Sequence, residues 1–375
     1  LMLKMKSITN NNSRLESLDS LRGFDMFWII GAEEIFHKMA KINPTSFWHN
    51  LSNQFVHVDW HGFVFYDLIF PLFLFLSGVA TPYSIGKQLS KGIGKSKLLK
   101  KVVKRGIILF LLGVVYNNPL EIMPVEEIRF GSVLGRIGLA YMFANIIYLF
   151  ASYKNQIYWF FAFIIGYWGI FMFFSAPEYL SGDLSMKGNI ISYLDRMVMP
   201  GKLYLGIHDP EGLFSTIPAV STALLGVFTG NILINTPVNK KNQTTFKLII
   251  IGIILIIVAQ IWNLFFPINK NLWTSSFVLQ CGGLSMLLMA LFYYLIDVLG
   301  YVKWAFFFKV IGVNSILIYM SSLFIDWSFT TNSLFKWLFQ LTGEPYDSVV
   351  YVFCLLFVQW MFLYLLYKKK IYLRI

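Results

Sequence analysis

These 375 residues read as an all-α, polytopic bundle of membrane-spanning helices forming a single domain over 1–375. Two observations carry that reading. Apolar side chains make up 57% of the chain and charged ones only 13%, about half the charged share of a soluble domain, and one core could not enclose so much apolar surface. The apolar residues also gather in runs near the length, roughly 20 residues, at which a helix crosses a hydrocarbon layer. Disorder is excluded by the 37 Phe and 11 Trp, since disordered chains are poor in aromatics and rich in charge.

About ten spans are expected in order. The first, 19–38, carries Arg22, Asp25, Glu33 and Glu34, so hydropathy alone barely supports it. The second, 62–85, follows Asp59, which resembles a helix N-cap, and holds Asp67 well inside. The third, 106–117, is short unless its basic lead-in snorkels toward the interface. The fourth, 132–152, contains Arg136. There follow 156–175, 212–233, 247–266, 273–297, 304–325 with Lys309, and 348–367. No internal repeat or low-complexity linker divides the chain, and the longest loop, 176–211, is too short for an ordinary domain. Leu1 to Ser20 lacks an apolar h-region, so the first span is expected to act as the targeting signal.

The basic residues test this map. With both termini cytoplasmic, the inside segments hold Lys4, Lys6, Arg14, Arg22, the run from Lys87 to Arg105, Lys154, Lys240, Lys241, Lys247, Lys303, Lys368, Lys369, Lys370 and Arg374. Most acids, from Glu121 to Asp347, fall outside. Positive residues favour the cytoplasmic side of short loops, so the net charge of +12 is explained mainly by insertion and anionic lipid headgroups. The lysines form no single stripe, which argues against a nucleic-acid partner. The loop from Gly86 to Arg105 could also attract a polyanionic ligand such as a phosphorylated cofactor.

Ionisable side chains in a span are expensive, and their default meaning is functional. Arg22, Asp25, Glu33, Glu34, Asp67 and Arg136 are expected to line a polar cavity through the first, second and fourth spans; buried ion pairs that fix packing are the other reading, and a transporter could use the same residues. His37, His49, His57, His61 and His208 all fall on the outside half. His57 and His61 flank Asp59-Trp60, where an imidazole can serve as a general base or simply sit beside a Trp anchor. Cys281 and Cys354 lack the spacing of a disulfide framework or zinc site, and no metal is expected. Neither a Walker loop nor a G-x-G-x-x-G pattern occurs.

Four stretches nonetheless resemble one family. Leu18-Asp19-Ser20-Leu21-Arg22-Gly23, His57-x-x-Trp60-x-Gly62 and Asp67-x-x-x-Pro71-x-Phe73-x-Phe75-x-x-Gly78 look like the opening of the heparan-alpha-glucosaminide N-acetyltransferases and their bacterial homologues. Asp209 to Pro218 is similar to that family's central motif, and Phe266-Pro-Ile-Asn-Lys270-Asn-Leu-Trp273-Thr-Ser-Ser276 to a later loop. Gly131-x-x-x-Gly135-Arg136-Ile and Gly312-x-Asn314-Ser-Ile-x-Ile-Tyr319 agree more loosely.

The resemblance implies a membrane-embedded acetyltransferase that takes acetyl-CoA from the cytosol and acetylates a glucosamine-type amino sugar on the far side. It looks like the bacterial forms, implying a multi-pass protein of the cytoplasmic (inner) membrane. The family's active histidine matches His57, and an Asn of its first core span falls at Glu33. Under this likeness His57 is general base or transient acetyl acceptor, with Asp67, Glu33 and Glu211 orienting it or binding the amine. Lys101, Lys104, Arg105 and Arg136 are the expected CoA residues, and Trp60, Glu211, Trp273, Asn314 and Lys270 the expected sugar residues. The partners are then CoA, a sugar and the bilayer, with a homodimer left open. A sugar permease and an O-acetyltransferase for a surface glycan are the competing readings.

Overall fold

The structure, a computed structural model, describes residues 15–373. The expected cytoplasmic residues Lys4, Lys6, Arg14 and Arg374, and the placement of both termini, lie outside the described residues. Helices dominate, and the described residues contain no strand, only isolated bridges such as Arg129 with Gly201. In chain order the helices are α1 (Glu16–Phe27), α2 (Glu34–Ile42), α3 (Ser46–Asn53), α4 (Phe65–Thr81), α5 (Lys87–Ser90), α6 (Lys95–Asn117), α7 (Val133–Phe150), α8 (Tyr153–Phe173), α9 (Ile190–Val198), α10 (Thr216–Ile234), α11 (Lys241–Asn263), α12 (Ser275–Tyr293), α13 (Phe306–Gly312), α14 (Ser315–Ser321), α15 (Trp327–Thr342) and α16 (Asp347–Lys368).

The result is a polytopic helical bundle. Among the described residues, seven helical stretches are long and apolar enough to cross a membrane: Phe65–Ser90, Val133–Phe150, Tyr153–Phe173, Thr216–Ile234, Val238–Asn263, Ser275–Val298 and Asp347–Lys368. The other three expected spans are helical but interrupted or charged. The first is α1 and α2 joined through a wide turn, Trp28–Ala32, in which Gly31 takes φ +121, a conformation that only glycine adopts cheaply. The third is the apolar half of α6, whose first turns carry Lys95, Lys97, Lys100, Lys101, Lys104 and Arg105. The ninth is divided at Val313 and Asn314 between α13 and α14.

At the centre lies α4, packed against α10, α12, α1 and α7. Its approach to α10 depends on Gly78 and Gly226: a Cβ on either would run into the other helix's backbone, at Ala223 or Phe75. Such small-residue contacts let membrane helices pack closely where no hydrophobic drive exists between them. Two loops over one end of α4 then build the site. Residues 54–64 and 264–274 are pinned together where Gly62 N–H donates to the Ile268 carbonyl (2.9 Å) and Asn271 Nδ2 to the Asp59 carbonyl (3.2 Å). This pinning keeps 59–64 out of helix, so α4 starts at Phe65 and Asp59 does not cap it. Asp67 takes the capping part instead, its Oδ2 accepting from Val64 N–H at 3.1 Å.

Candidate active site

Asp67 has a second task. Its carboxylate is fully buried, and Oδ1 lies 2.7 Å from Nδ1 of His57. With the carboxylate ionised, Nδ1 carries the proton and donates, leaving Nε2 unprotonated as an acceptor. The His57 ring stacks on Tyr66 with centroids 4.8 Å apart, and the Tyr66 hydroxyl faces the Glu33 carboxylate. Lys270 reaches in from the second loop. Its Nζ stands 2.8 Å from Nε2, 3.0 Å from Nδ1 and 3.6 Å from Asp67 Oδ1. Since Nδ1 already donates to Asp67, Nε2 is the acceptor for the ammonium. Burial pushes the Lys270 ammonium below the usual lysine range, against the pull of Asp67 and Glu211.

These groups open into a cavity of about 600 Å³ whose lining includes His57, Tyr66, Arg129, Glu211, Lys270 and Tyr319, a volume suited to one small ligand. Arg129 makes a bidentate pair with Asp209 (2.9 and 2.8 Å), reaches Glu211 at 2.6 Å, and lies over the Tyr204 ring. Burial alone would raise the Asp209 carboxyl; the Arg129 guanidinium and the N–H groups of Glu211 and Tyr204 hold it below its ordinary value.

A smaller chamber of about 220 Å³ adjoins this cavity toward the basic end of the bundle. Arg22, Arg105, Tyr141, Asn314 and Tyr372 line it. Phe73, Ile137 and Ile316 belong to both walls, so these apolar side chains stand between the two spaces. Arg105 rests over the Tyr141 ring at 4.7 Å, and Arg22 donates to the Leu76 carbonyl at 3.3 Å.

His57, Lys270 and Glu211 therefore line the cavity, with Asp67 buried behind His57 and Glu33 one contact behind through Tyr66. Asn314 lies in the smaller chamber, where its Nδ2 donates to the Ile371 carbonyl and its Oδ1 accepts from Leu373 N–H. Arg105 faces that chamber, whereas Lys101 and Lys104 are exposed on α6, Lys101 reaching Gln88. Arg136 lines neither space: it is buried, donates to Ser215 and the Gly212 carbonyl, and stacks 4.8 Å from Trp273. Trp273 is buried too and donates to Thr222, anchoring the loop that carries Lys270. Trp60 donates to the Leu184 carbonyl and so ties the histidine loop to the 176–211 segment. Arg129, Tyr66 and Tyr319 are not singled out from the sequence for this site; its signs there are Tyr319 at the end of the Gly312-x-Asn314 stretch and Arg129 as an arginine in an otherwise acidic loop.

An acid-oriented imidazole at a mainly apolar cavity that holds a few charged groups, inside a polytopic helical membrane bundle, defines the class. The particular family follows from comparison. Residues 14–255 match the family described as "Heparan-alpha-glucosaminide N-acetyltransferase, catalytic", and the chain belongs to that family. It is 25% identical to the human protein named heparan-alpha-glucosaminide N-acetyltransferase, over 96% of this chain and 60% of the relative. The mouse protein of the same name is 26% identical over 97% of this chain and 61% of its own length. The chain thus spans about 60% of the length of these curated relatives.

Proposed function

We propose that this protein transfers an acetyl group from cytosolic acetyl-CoA to the amine of a glucosamine-type sugar on the opposite face of the inner membrane. The observation that carries the reading is the Asp67–His57 pair beside a sugar-sized cavity that shares the apolar side chains Phe73, Ile137 and Ile316 with a smaller, arginine-lined chamber. Acetyl-CoA enters from the basic end, its phosphates near Arg105 and Arg22, since guanidinium forks bind phosphate oxygens well. The acyl end reaches the larger cavity between Phe73, Ile137 and Ile316, whose side chains move aside to let it through.

There the sugar amine meets His57. Asp67 keeps the Nδ1 proton in place, so Nε2 accepts the proton that the amine sheds as it attacks the thioester carbonyl. Nitrogen bonds to carbon, the carbon–sulfur bond breaks, and the proton on Nε2 passes to the departing thiolate. Glu211, held by Arg129, and Lys270 shape the sugar end of the cavity.

The test is acetylation of glucosamine by purified protein supplied with acetyl-CoA. His57→Ala is expected to lower turnover on the order of 100-fold or more while its unfolding temperature stays near wild type. Unchanged turnover removes His57 from the mechanism. Acetylation of a sugar hydroxyl in place of the amine would move the assignment to an O-acetyltransferase.

A further inference from the structure

The place that a reacting amine should occupy already holds one. Lys270 Nζ lies 2.8 Å from Nε2 of His57, within reach of the nitrogen that would take a substrate's proton, and both side chains line the same cavity. Its position is built. The neighbouring Asn269 side chain accepts from Leu272 N–H at 2.8 Å, Thr274 Oγ1 accepts from Asn269 N–H at 3.0 Å, and Trp273 is sunk in the core. The Lys270 side chain is only 15% exposed, and its nearest carboxylate, Asp67, stands back at 3.6 Å.

We propose that Lys270 is an internal acetyl acceptor: with acetyl-CoA bound and no amino sugar present, the protein acetylates its own Lys270, and sugar and lysine compete for His57. This rests on the transferase reading above. The Lys270 ammonium loses one proton to Nε2, which releases it to water. The Nζ lone pair attacks the thioester carbonyl, the N–C bond forms and the C–S bond breaks. The second amine proton travels through His57 to the CoA thiolate, giving a lysine amide and free CoA. Nothing beyond acetyl-CoA is consumed. Burial assists, because it favours the neutral amine of Lys270.

The product differs from an acetyl-histidine or thioester in being a stable amide. It deletes the cation beside Asp67 and fills the amine end of the cavity with an acetyl group. A protein that meets donor without acceptor is thereby switched off, which spares acetyl-CoA from slow hydrolysis at an open site.

The experiment is peptide mass spectrometry of the whole purified protein after incubation with acetyl-CoA alone, and with acetyl-CoA plus excess glucosamine. Expected is one added acetyl group on Lys270, at least tenfold faster than on the exposed Lys101 and Lys104, which report the uncatalysed background. Glucosamine should suppress the modification, and His57→Ala should slow it on the order of 100-fold. Loss of sugar turnover should track the modified fraction. If glucosamine is acetylated while Lys270 stays at the background rate, the internal-acceptor proposal is overturned and the transferase reading survives. If neither is acetylated, both fall. The wild-type comparison alone decides this, so it does not depend on the variant folding.

Discussion

Replacing Asp67 with Asn exchanges one oxygen for an NH2 in the buried position behind His57 and reverses the proton on the imidazole beside it. Val64 N–H still needs an acceptor, so the amide oxygen turns toward it and the NH2 faces His57. A donor opposite Nδ1 forces that nitrogen to accept, and the ring proton moves to Nε2, where it meets the Lys270 ammonium in place of a lone pair. The lost interaction is a charge-assisted bond of 2.7 Å to a fully buried carboxylate. Such a bond contributes about 1.5–3 kcal/mol, and each 1.4 kcal/mol is tenfold in rate, so a loss of roughly 10- to 150-fold in kcat/KM is expected from orientation alone. Because the wrong tautomer harms the chemical step more than sugar binding, kcat should carry most of it. The assay is steady-state acetylation of glucosamine, with circular dichroism confirming helix content. An Asp67→Asn protein that folds and turns over at the wild-type rate would refute the orienting role.

Arg105→Gln is expected to raise the KM for acetyl-CoA on the order of tenfold through a lost charge-assisted contact, leaving the sugar KM unchanged; Lys101→Gln, on the exposed face, should change neither by more than about twofold. Gly226→Ala puts a methyl against the Phe75 backbone and should cost on the order of 3 kcal/mol, read as a lower unfolding temperature in detergent, whereas Gly166→Ala in α8, with open space around it, should be neutral or slightly stabilising. A pH effect comes from His208, whose imidazole burial pulls from 6.5 down to about 4. The unfolded chain therefore takes up the proton first: the stabilisation is complete above 6.5 and is lost as pH falls toward 4, by up to about 3 kcal/mol. Asp195, raised by burial to about 6, acts in the opposite sense over an overlapping window, so the quantity to measure is the difference in unfolding temperature between wild type and His208→Asn. That difference should shrink steadily between pH 6.5 and 4; a flat difference would contradict the buried, neutral imidazole.

Helical membrane character was readable from apolar runs because the hydrocarbon layer imposes a length. Breaks were harder to read: Gly31 and Val313–Asn314 interrupt helices where nothing but a single permissive residue or a polar Asn marks the point. His57 and Asp67 are ten residues apart, and their contact was not visible as a spacing because the loop between them is folded back by a bond to Ile268, over 200 positions away. Lys270 shares that difficulty, being joined to His57 only through loop–loop pairing. The cavity's other wall, with Arg129 locked by Asp209 and Glu211, depends on a long loop whose shape is set by side-chain hydrogen bonds that carry no periodicity. Trp273 and Arg136 show the converse: chemically eye-catching residues that the fold uses to pack against each other and hold the Lys270 loop.

The central claim is that an acetyl group enters at the basic end of the bundle and leaves on an amine at the histidine end. Proteoliposomes with purified protein in one known orientation test it directly, using labelled acetyl-CoA outside and glucosamine sealed inside. With the 86–105 loop facing outward, labelled N-acetylglucosamine should accumulate in the lumen while labelled acetyl-CoA stays outside. Product formed only when both substrates share one compartment would contradict transfer across the bilayer.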